Sequence, residues 1–279
     1  LSVSRYFEVV RTWLGRTFVD GFRLGPVPPG KESQWVALSK ALARDFAPLV
    51  LLHHAPSPTP ALRQALARLP SAVGILERDT GPSWMRWLGC AKTAGEALPV
   101  WSRTPKASLA LRRLSSHHHP VLLRRCGGRR DPKRSVGLAL TFHLLTADIP
   151  IVYFADGWVT PPGGDTHPAM RWPAVKRSKR HRWIRRLLTM RRAVPALRGA
   201  EQRVRRMGDT LLVLRRRGAC RVVLVIHRGD APRRLTLRLS ELGWPAPPAG
   251  AAPVELVDRL RGRGHTAEQH RLTLDLEPR

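Results

Sequence analysis

The chain has 279 residues, of which 43% are hydrophobic, so it is long and apolar enough for one large folded domain or two smaller ones. It carries 49 lysine and arginine residues against 20 aspartate and glutamate residues, a formal net charge of +29 at pH 7. Its longest apolar runs are too short to cross a bilayer, so no membrane partner is predicted. No secretory signal is visible, which predicts a cytoplasmic protein.

The first two-thirds of the chain alternates helical and extended patterns. This alternation predicts a parallel sheet, either open or closed into a barrel. The predicted helices cover Tyr6 to Thr17, Gln34 to Asp45, Pro60 to Leu69, Val136 to Thr146 and Arg180 to Arg192, and the predicted strands cover Phe18 to Leu24, Pro48 to Pro56, Ala72 to Glu77 and Ile149 to Phe154.

From about Gly199 onward the pattern changes to short apolar strands separated by turn residues such as Gly208-Asp209 and Gly229-Asp230. This pattern predicts a separate antiparallel β domain. We therefore divide the chain into residues 1–198, an α/β domain, and residues 199–279, a C-terminal β domain.

The three cysteines, Cys90, Cys126 and Cys220, are widely spaced. Their spacing fits neither a metal-binding pattern nor a disulfide framework. The expectation from the cysteines is no disulfide framework and no metal, and no other cofactor is indicated.

The positive charge suggests binding to nucleic acid, but two observations weaken that interpretation. Seven of the 49 basic residues are lysine, which leaves 42 arginines, a bias that a coding preference would also produce. The basic residues are spread along the chain rather than gathered in one arm, and no recognised nucleic-acid motif accompanies them. Nucleic-acid binding is kept as an alternative of another class.

The order of several motifs resembles the α-amylase superfamily, glycoside hydrolase family 13. The family strand ending "DGFRLD" is matched by Asp20 to Gly25, its "NHD" by His117 to His119, and its "GIPxIYYG" by Asp148 to Ala155. Further matches are Met170 to Trp172 and Leu187 to Gly199. The resemblance implies a partial (β/α)₈ TIM barrel, about strands four to eight, followed by a small antiparallel all-β domain.

The resemblance also implies where the reacting carboxylates would stand. Retaining hydrolysis needs a nucleophile and an acid/base roughly 5 Å apart. The family nucleophile ends "GFRLD", and Gly25 occupies that position. A repeat of roughly 30 residues per unit places the acid/base at His54, and the third family carboxylate, in "NHD", falls on His119.

Other readings of the same positions stay open. An alternative alignment makes Glu77 the acid, although it lies 77 − 25 = 52 residues beyond Gly25. Arg23 and His118 match the family residues that bind substrate, and both are also ordinary polar residues at strand ends. His54, His118 and His119 offer three imidazoles for zinc, but neighbours on a strand point to opposite faces.

The sequence therefore predicts an α-amylase homologue of α-glucan metabolism that has lost catalysis, a pseudoenzyme with an α-glucan or maltooligosaccharide as partner. The alternative is an active glycosidase or transglycosylase that uses Glu77 or an unrecognised carboxylate. Because barrel strands one to three are not represented, the sheet has open edges, and we expect self-association through them.

Overall fold

The computed structural model describes most of the chain. The described residues are 3–26, 30–46, 48–54, 59–69, 72–76, 87–88, 110–114, 122, 126, 131–146, 149–153, 156, 172–198, 201–244 and 254–277.

The amino-terminal two-thirds contains a five-stranded sheet in which every neighbouring pair of strands is parallel. The strands lie in sequence order, so β1 and β5 form the two edges in the described part of the chain. They are β1 (Gly21–Pro26), β2 (Val50–His54), β3 (Ala72–Leu76), β4 (Ala110–Arg113) and β5 (Ile149–Ile151).

Helices accompany these strands, as the alternating pattern predicts. Side-chain caps mark the start of two of them: Thr59 accepts a hydrogen bond from Leu62 N–H, and Ser178 accepts one from His181 N–H. The helices are α1 (Val3–Arg16), α2 (Glu32–Asp45), α3 (Pro60–Ala67), α4 (Pro132–Thr146), α5 (Trp172–Arg177) and α6 (Lys179–Ala193).

The C-terminal strands pair antiparallel, as the sequence predicts. They form a three-stranded sheet, β6–β7–β8, and two strand pairs, β10–β11 and β12–β9. Their bounds are β6 (Glu201–Met207), β7 (Thr210–Arg217), β8 (Cys220–His227), β9 (Arg233–Arg238), β10 (Val254–Asp258), β11 (Arg263–Ala267) and β12 (Arg271–Leu276).

Several element bounds differ from the sequence prediction. The strand expected at Phe18 to Leu24 begins at Gly21 and continues to Pro26, and Phe18 is fully exposed. The segment around 107–114, for which the sequence favoured no element, contributes β4. Because α4 is buried on all sides from Ala139 to Thr146, it shows little amphipathic periodicity, and the sequence pattern does not mark its first turn.

One hydrophobic core joins the α/β part to the first antiparallel sheet. It contains Leu144 of α4, Leu187 of α6 and Leu211, Val213 and Ile226 of β7 and β8, all almost inaccessible to solvent. The division into residues 1–198 and 199–279 therefore stays a prediction, and the two parts share a buried interface.

Two arginines fix that interface at the C-terminal end of α4. The Arg215 guanidinium, 1% exposed, donates to the carbonyl oxygens of Thr146 and Ala196 (the latter at 3.0 Å), and to Gln202 Oε1 at 2.8 Å. Arg191 Nη1 donates to Leu144 O at 3.1 Å. Carbonyls in the last turn of a helix lack intrahelical partners and carry partial negative charge, so both arginines stabilise this end of α4.

The cysteine expectation needs correction. Cys126 is fully buried and disulfide-bonded, whereas Cys220 is a free, half-buried thiol. The prediction that the cysteines make no disulfide is wrong for Cys126, because spacing in sequence does not report which side chains meet in the fold. Because disulfides persist in oxidising compartments, the disulfide of Cys126 does not support the predicted cytoplasmic localisation, which stays a prediction.

We predict that Arg215→Leu lowers the free energy of unfolding by about 2–5 kcal/mol, because it leaves buried acceptors without donors. Urea denaturation followed by tryptophan fluorescence measures the change. The matched control is Arg216→Leu on the same strand, which is exposed and should change stability by less than about 0.5 kcal/mol. Equal midpoints for the two variants would contradict the anchoring role of Arg215.

Candidate functional site

The candidate site lies at the carboxyl ends of β1 and β2. In the parallel pairing of these strands, Arg23 stands opposite Leu52, Leu24 opposite His53, and Pro26 opposite His54. The register shifts between Leu24 and Pro26, so Gly25 has no direct partner across the strand pair. The two sequence-predicted positions, Gly25 and His54, therefore come from neighbouring strand ends, as active sites in parallel sheets do.

The two faces of these strands have different surroundings. Leu24 and Leu51 are buried in a cluster with Val10 of α1 and Leu38 of α2, so this face of the sheet is covered by helices. Because side chains alternate along a strand, Arg23 belongs to the opposite face of β1, whereas Gly25 lies at the irregularity between Leu24 and Pro26. Arg23 is exposed there.

His54 ends β2 and is half-buried. It follows Leu52 by two residues, so it shares the face that Leu52 and Arg23 occupy. The geometry thus brings Arg23 and His54 to one face of two neighbouring strands, with Gly25 close by at the end of β1. Their catalytic and binding roles stay predictions.

Gly25 has room for a side chain. A Cβ atom added at this position would meet no other atom within 4 Å. Gly21, on the same strand, is different: a Cβ there would lie 2.0 Å from the carbonyl oxygen of Val50. The fold therefore requires a glycine at position 21, and it does not by itself exclude an aspartate at position 25.

Several predicted site residues lie outside the described residues. These are His117, His118, His119 and Glu77, so the third carboxylate position, the second substrate-binding residue and the rival acid stay predictions. Over the described ranges, no three histidine, cysteine, aspartate or glutamate side chains come close enough to hold a metal ion.

Asp156 is a carboxylate that the sequence analysis did not select. It follows β5, so it lies towards the same carboxyl edge of the sheet, and it is 1% exposed. Its Oδ2 accepts a hydrogen bond from the backbone N–H of Tyr153 at 3.3 Å. Burial lowers the pKa of Arg180, and the charge of Asp156 opposes that shift. The only sequence signal for Asp156 was an acidic residue shortly after a confidently predicted strand.

His53 lies on the helix-covered face and has no exposed surface. Neither of its ring nitrogens has a hydrogen-bond partner in the part of the chain that the structure describes. Burial lowers the pKa of His53 from 6.5 to about 4, because the charged imidazolium would lose its hydration. At neutral pH the buried ring is therefore uncharged.

Comparison with known proteins gives a clear result for the fold. No protein-family model and no curated protein sequence matches the chain. Among solved structures, the α-amylase of Geobacillus thermoleovorans in complex with acarbose matches 99% of this chain with a TM-score of 0.78 and 16% identity. An Anoxybacillus α-amylase matches the same share with a TM-score of 0.74 and 18% identity.

The chain shares the fold of the α-amylases. The resemblance inferred from the sequence motifs is thus confirmed at the level of fold. The chain spans 61% of the Geobacillus enzyme, 60% of the Anoxybacillus enzyme and 66% of AmyP, a protein solved in complex with maltose.

The α-amylase-like chain has no transmembrane helix among its described residues, since none of those helices is both long and apolar enough to cross a bilayer.

We predict that His53 makes the protein less stable as the pH falls. Between pH 6.5 and about 4 the unfolded chain binds a proton that folded His53 does not, so stability is lost as the pH falls below 6.5. Between about pH 8 and about pH 5, the free energy of unfolding measured with urea should fall by about 2 kcal/mol more in the wild type than in His53→Leu. Val50→Ala, at an exposed residue of β2 that does not titrate, is the control and should keep the wild-type dependence. An unchanged pH dependence in His53→Leu would contradict this assignment.

Proposed function

We propose that the chain is an α-amylase homologue of α-glucan metabolism that does not hydrolyse glycosidic bonds. The observation that carries this proposal is the composition of the sheet. None of the described strands β1 to β5 contains an aspartate or a glutamate. In this fold the reacting groups would project from the ends of those strands.

The chemistry explains why this composition matters. In retaining hydrolysis one carboxylate attacks the sugar carbon, and a second carboxyl group protonates the leaving oxygen and later deprotonates water. Glycine at position 25 has no atom to form the bond to the sugar. A histidine at position 54 could move a proton, but without a nucleophile no glycosyl-enzyme intermediate forms.

We further propose that the parallel sheet corresponds to barrel strands four to eight. The sequential strand order and the 60–66% coverage of the amylase structures support this correspondence. A barrel of this kind has eight strands, so β1 and β5 would each adjoin a further strand in the complete architecture.

A maltooligosaccharide is the proposed ligand. AmyP has been solved with maltose, and a single-residue variant of AmyP with maltotriose. In this chain Arg23 would contact the sugar from the exposed face of β1, together with His118. Guanidinium groups and imidazoles both donate hydrogen bonds to hydroxyl oxygens, which suits recognition without catalysis.

We expect wild-type protein to leave a chromogenic maltoside uncleaved, and to bind maltotriose in a calorimetric titration. Arg23→Ala should weaken that binding, because it removes a donor to the sugar. The matched control, Arg11→Ala, removes an exposed arginine of α1 and should bind as wild type does. Gly25→Asp should fold normally, because the position has room for a side chain, and should remain inactive without an acid partner.

Turnover by the wild-type protein would overturn the proposal of an inactive homologue. In that case the variants Glu77→Gln and Asp156→Asn each remove one of the remaining candidate carboxylates, and comparing their activities shows which one the reaction needs. Loss of a general acid lowers the rate by a factor of roughly 10² to 10⁴, so the residue responsible would be evident.

We also propose self-association through an apolar face beside the β1 edge. Four large hydrophobic residues near this edge are exposed: Val9 and Trp13, one helical turn apart on α1, and Phe18 and Val19, shortly before β1. The proposed face is made of these four residues. It lies next to an edge strand, and unpaired edges of sheets favour pairing with another chain. A second copy of the chain that covers the apolar face and the edge of β1 would remove apolar surface from water.

Sedimentation equilibrium tests this contact. Wild type should form a concentration-dependent dimer, and Trp13→Glu should be monomeric because it places a charge in the contact. Trp172→Glu is the matched control, since Trp172 is at least as exposed but lies on α5. A monomeric wild type at all concentrations, or dimers weakened equally by both substitutions, would exclude the proposed face.

A further inference from the structure

Two segments distant in sequence form one positively charged surface. Helix α6 contributes Arg182, Arg185 and Arg186, and the turn between β10 and β11, with the start of β11, contributes Arg259, Arg261 and Arg263. We call these six residues the basic surface; each of them is exposed.

Specific contacts hold the two segments together. Arg186 Nη2 donates a hydrogen bond to the carbonyl oxygen of Leu260, in the middle of the turn. Leu260 also packs, together with Trp183 of α6, against the core that joins α4, α6 and the antiparallel sheet. The segments that carry the two groups of arginines therefore adjoin each other where Arg186 meets Leu260.

The charge of this surface is poorly balanced. Residues 172–193, which include α5 and α6, contain no aspartate or glutamate. Arg182 lies three residues before Arg185 and four before Arg186, spacings at which like charges on a helix repel. The first turn of α6 contains no acidic residue and carries Lys179 and Arg182, although the positive end of the helix dipole favours acidic residues there.

Nearby acidic residues do little to neutralise the positive charge of the basic surface. Asp258 lies at the end of β10, but its Oδ1 accepts hydrogen bonds from the backbone N–H groups of Leu260 and Arg261, at 2.8 and 3.0 Å. Its other oxygen is 4.0 Å from Arg261 Nε, the limit of an ion pair. The other five arginines of the basic surface form no ion pair with any carboxylate in the described residues.

Three other arginines of the C-terminal part form close ion pairs. Arg205, Arg228 and Arg234 each contact a carboxylate oxygen within 3 Å. These three arginines are thus individually paired with acids, whereas the six arginines of the basic surface have one marginal ion pair, Arg261 with Asp258, among the described residues. Mutual repulsion there disfavours the folded state unless anions bind.

We propose that the basic surface binds the phosphate backbone of a nucleic-acid duplex, by charge and without reading base sequence. Guanidinium groups match phosphate oxygens in bidentate geometry, and arginine is the usual side chain for this contact. A duplex fits better than a single strand, because single-strand binding relies on exposed aromatic rings. Trp183, the aromatic residue beside Arg186, is half-buried and donates its indole N–H to Thr141 Oγ1 at 3.1 Å.

This inference is independent of the proposed carbohydrate site, since it involves neither β1 nor β2. The spread of arginines along the sequence gave no reason to select any one region. Folding changes that conclusion, because it brings two segments 74 residues apart onto one surface.

Fluorescence anisotropy with a short fluorescein-labelled DNA duplex, measured over a series of salt concentrations, tests the proposal. The triple variant R182Q/R185Q/R259Q removes three charges from the basic surface. Because each phosphate contact contributes about 0.9 to the slope of log K against log salt, we expect that slope to fall by about 2.7. Affinity at low salt should fall at least about tenfold.

The control variant removes three positive charges from strands outside the basic surface. R203Q/R216Q/R238Q changes three exposed arginines on β6, β7 and β9, and should alter the slope by less than about 1. Equal losses in the two triple variants would mean generic attraction by net charge and would overturn the proposal. So would absence of duplex binding by wild type, or stronger binding to phosphatidylserine vesicles at equal phosphate concentration. Arg23→Ala should bind the duplex normally, which separates this site from the carbohydrate site.

Discussion

The C-terminal end of α4 is the point on which the described structure depends. The last turn of this buried helix receives hydrogen bonds from Arg191 and Arg215, which come from α6 and from the antiparallel sheet. Burying a guanidinium is costly unless its donors are used, and Arg215 uses them on three acceptors from three different segments. Packing around α4 then fixes how the helical layer and the C-terminal sheet meet.

The parallel sheet and the helices around it form an amylase-like framework. It presents the ends of β1 and β2 as an amylase-like fold would, with Arg23 and His54 on one face and Gly25 at the irregularity between Leu24 and Pro26. The space beside Gly25 shows that the backbone accommodates a side chain at that position. The fold and the groups at the strand ends are therefore separable properties, since stability comes from apolar packing and catalysis from a few polar atoms.

Charge is distributed by the fold in two opposite ways. Within the core, burial keeps the His53 ring neutral, and Arg215 donates hydrogen bonds from Nε and Nη1 to three acceptors, which offsets the cost of burying these two groups. On the surface, α6 and the β10–β11 turn place arginines side by side with little compensation. The same +29 net charge thus includes groups that hold the protein together and groups available to an anionic partner.

The sequence alone determined that glycine stands at position 25 and histidine at position 54, because side-chain identity does not depend on folding. The strand bounds, and with them the absence of acids within the described strands of the sheet, came from the structure. Periodicity also gave the order of helices and strands, since amphipathic patterns are local. Only the tertiary structure decided that His53 is buried, that Asp156 is a buried carboxylate beyond β5, and that Cys126 forms a disulfide. It alone joined Arg215 to Thr146, 69 residues away. Those features depend on segments far apart in the chain, whose meeting is set by packing of the whole core and not by any local pattern.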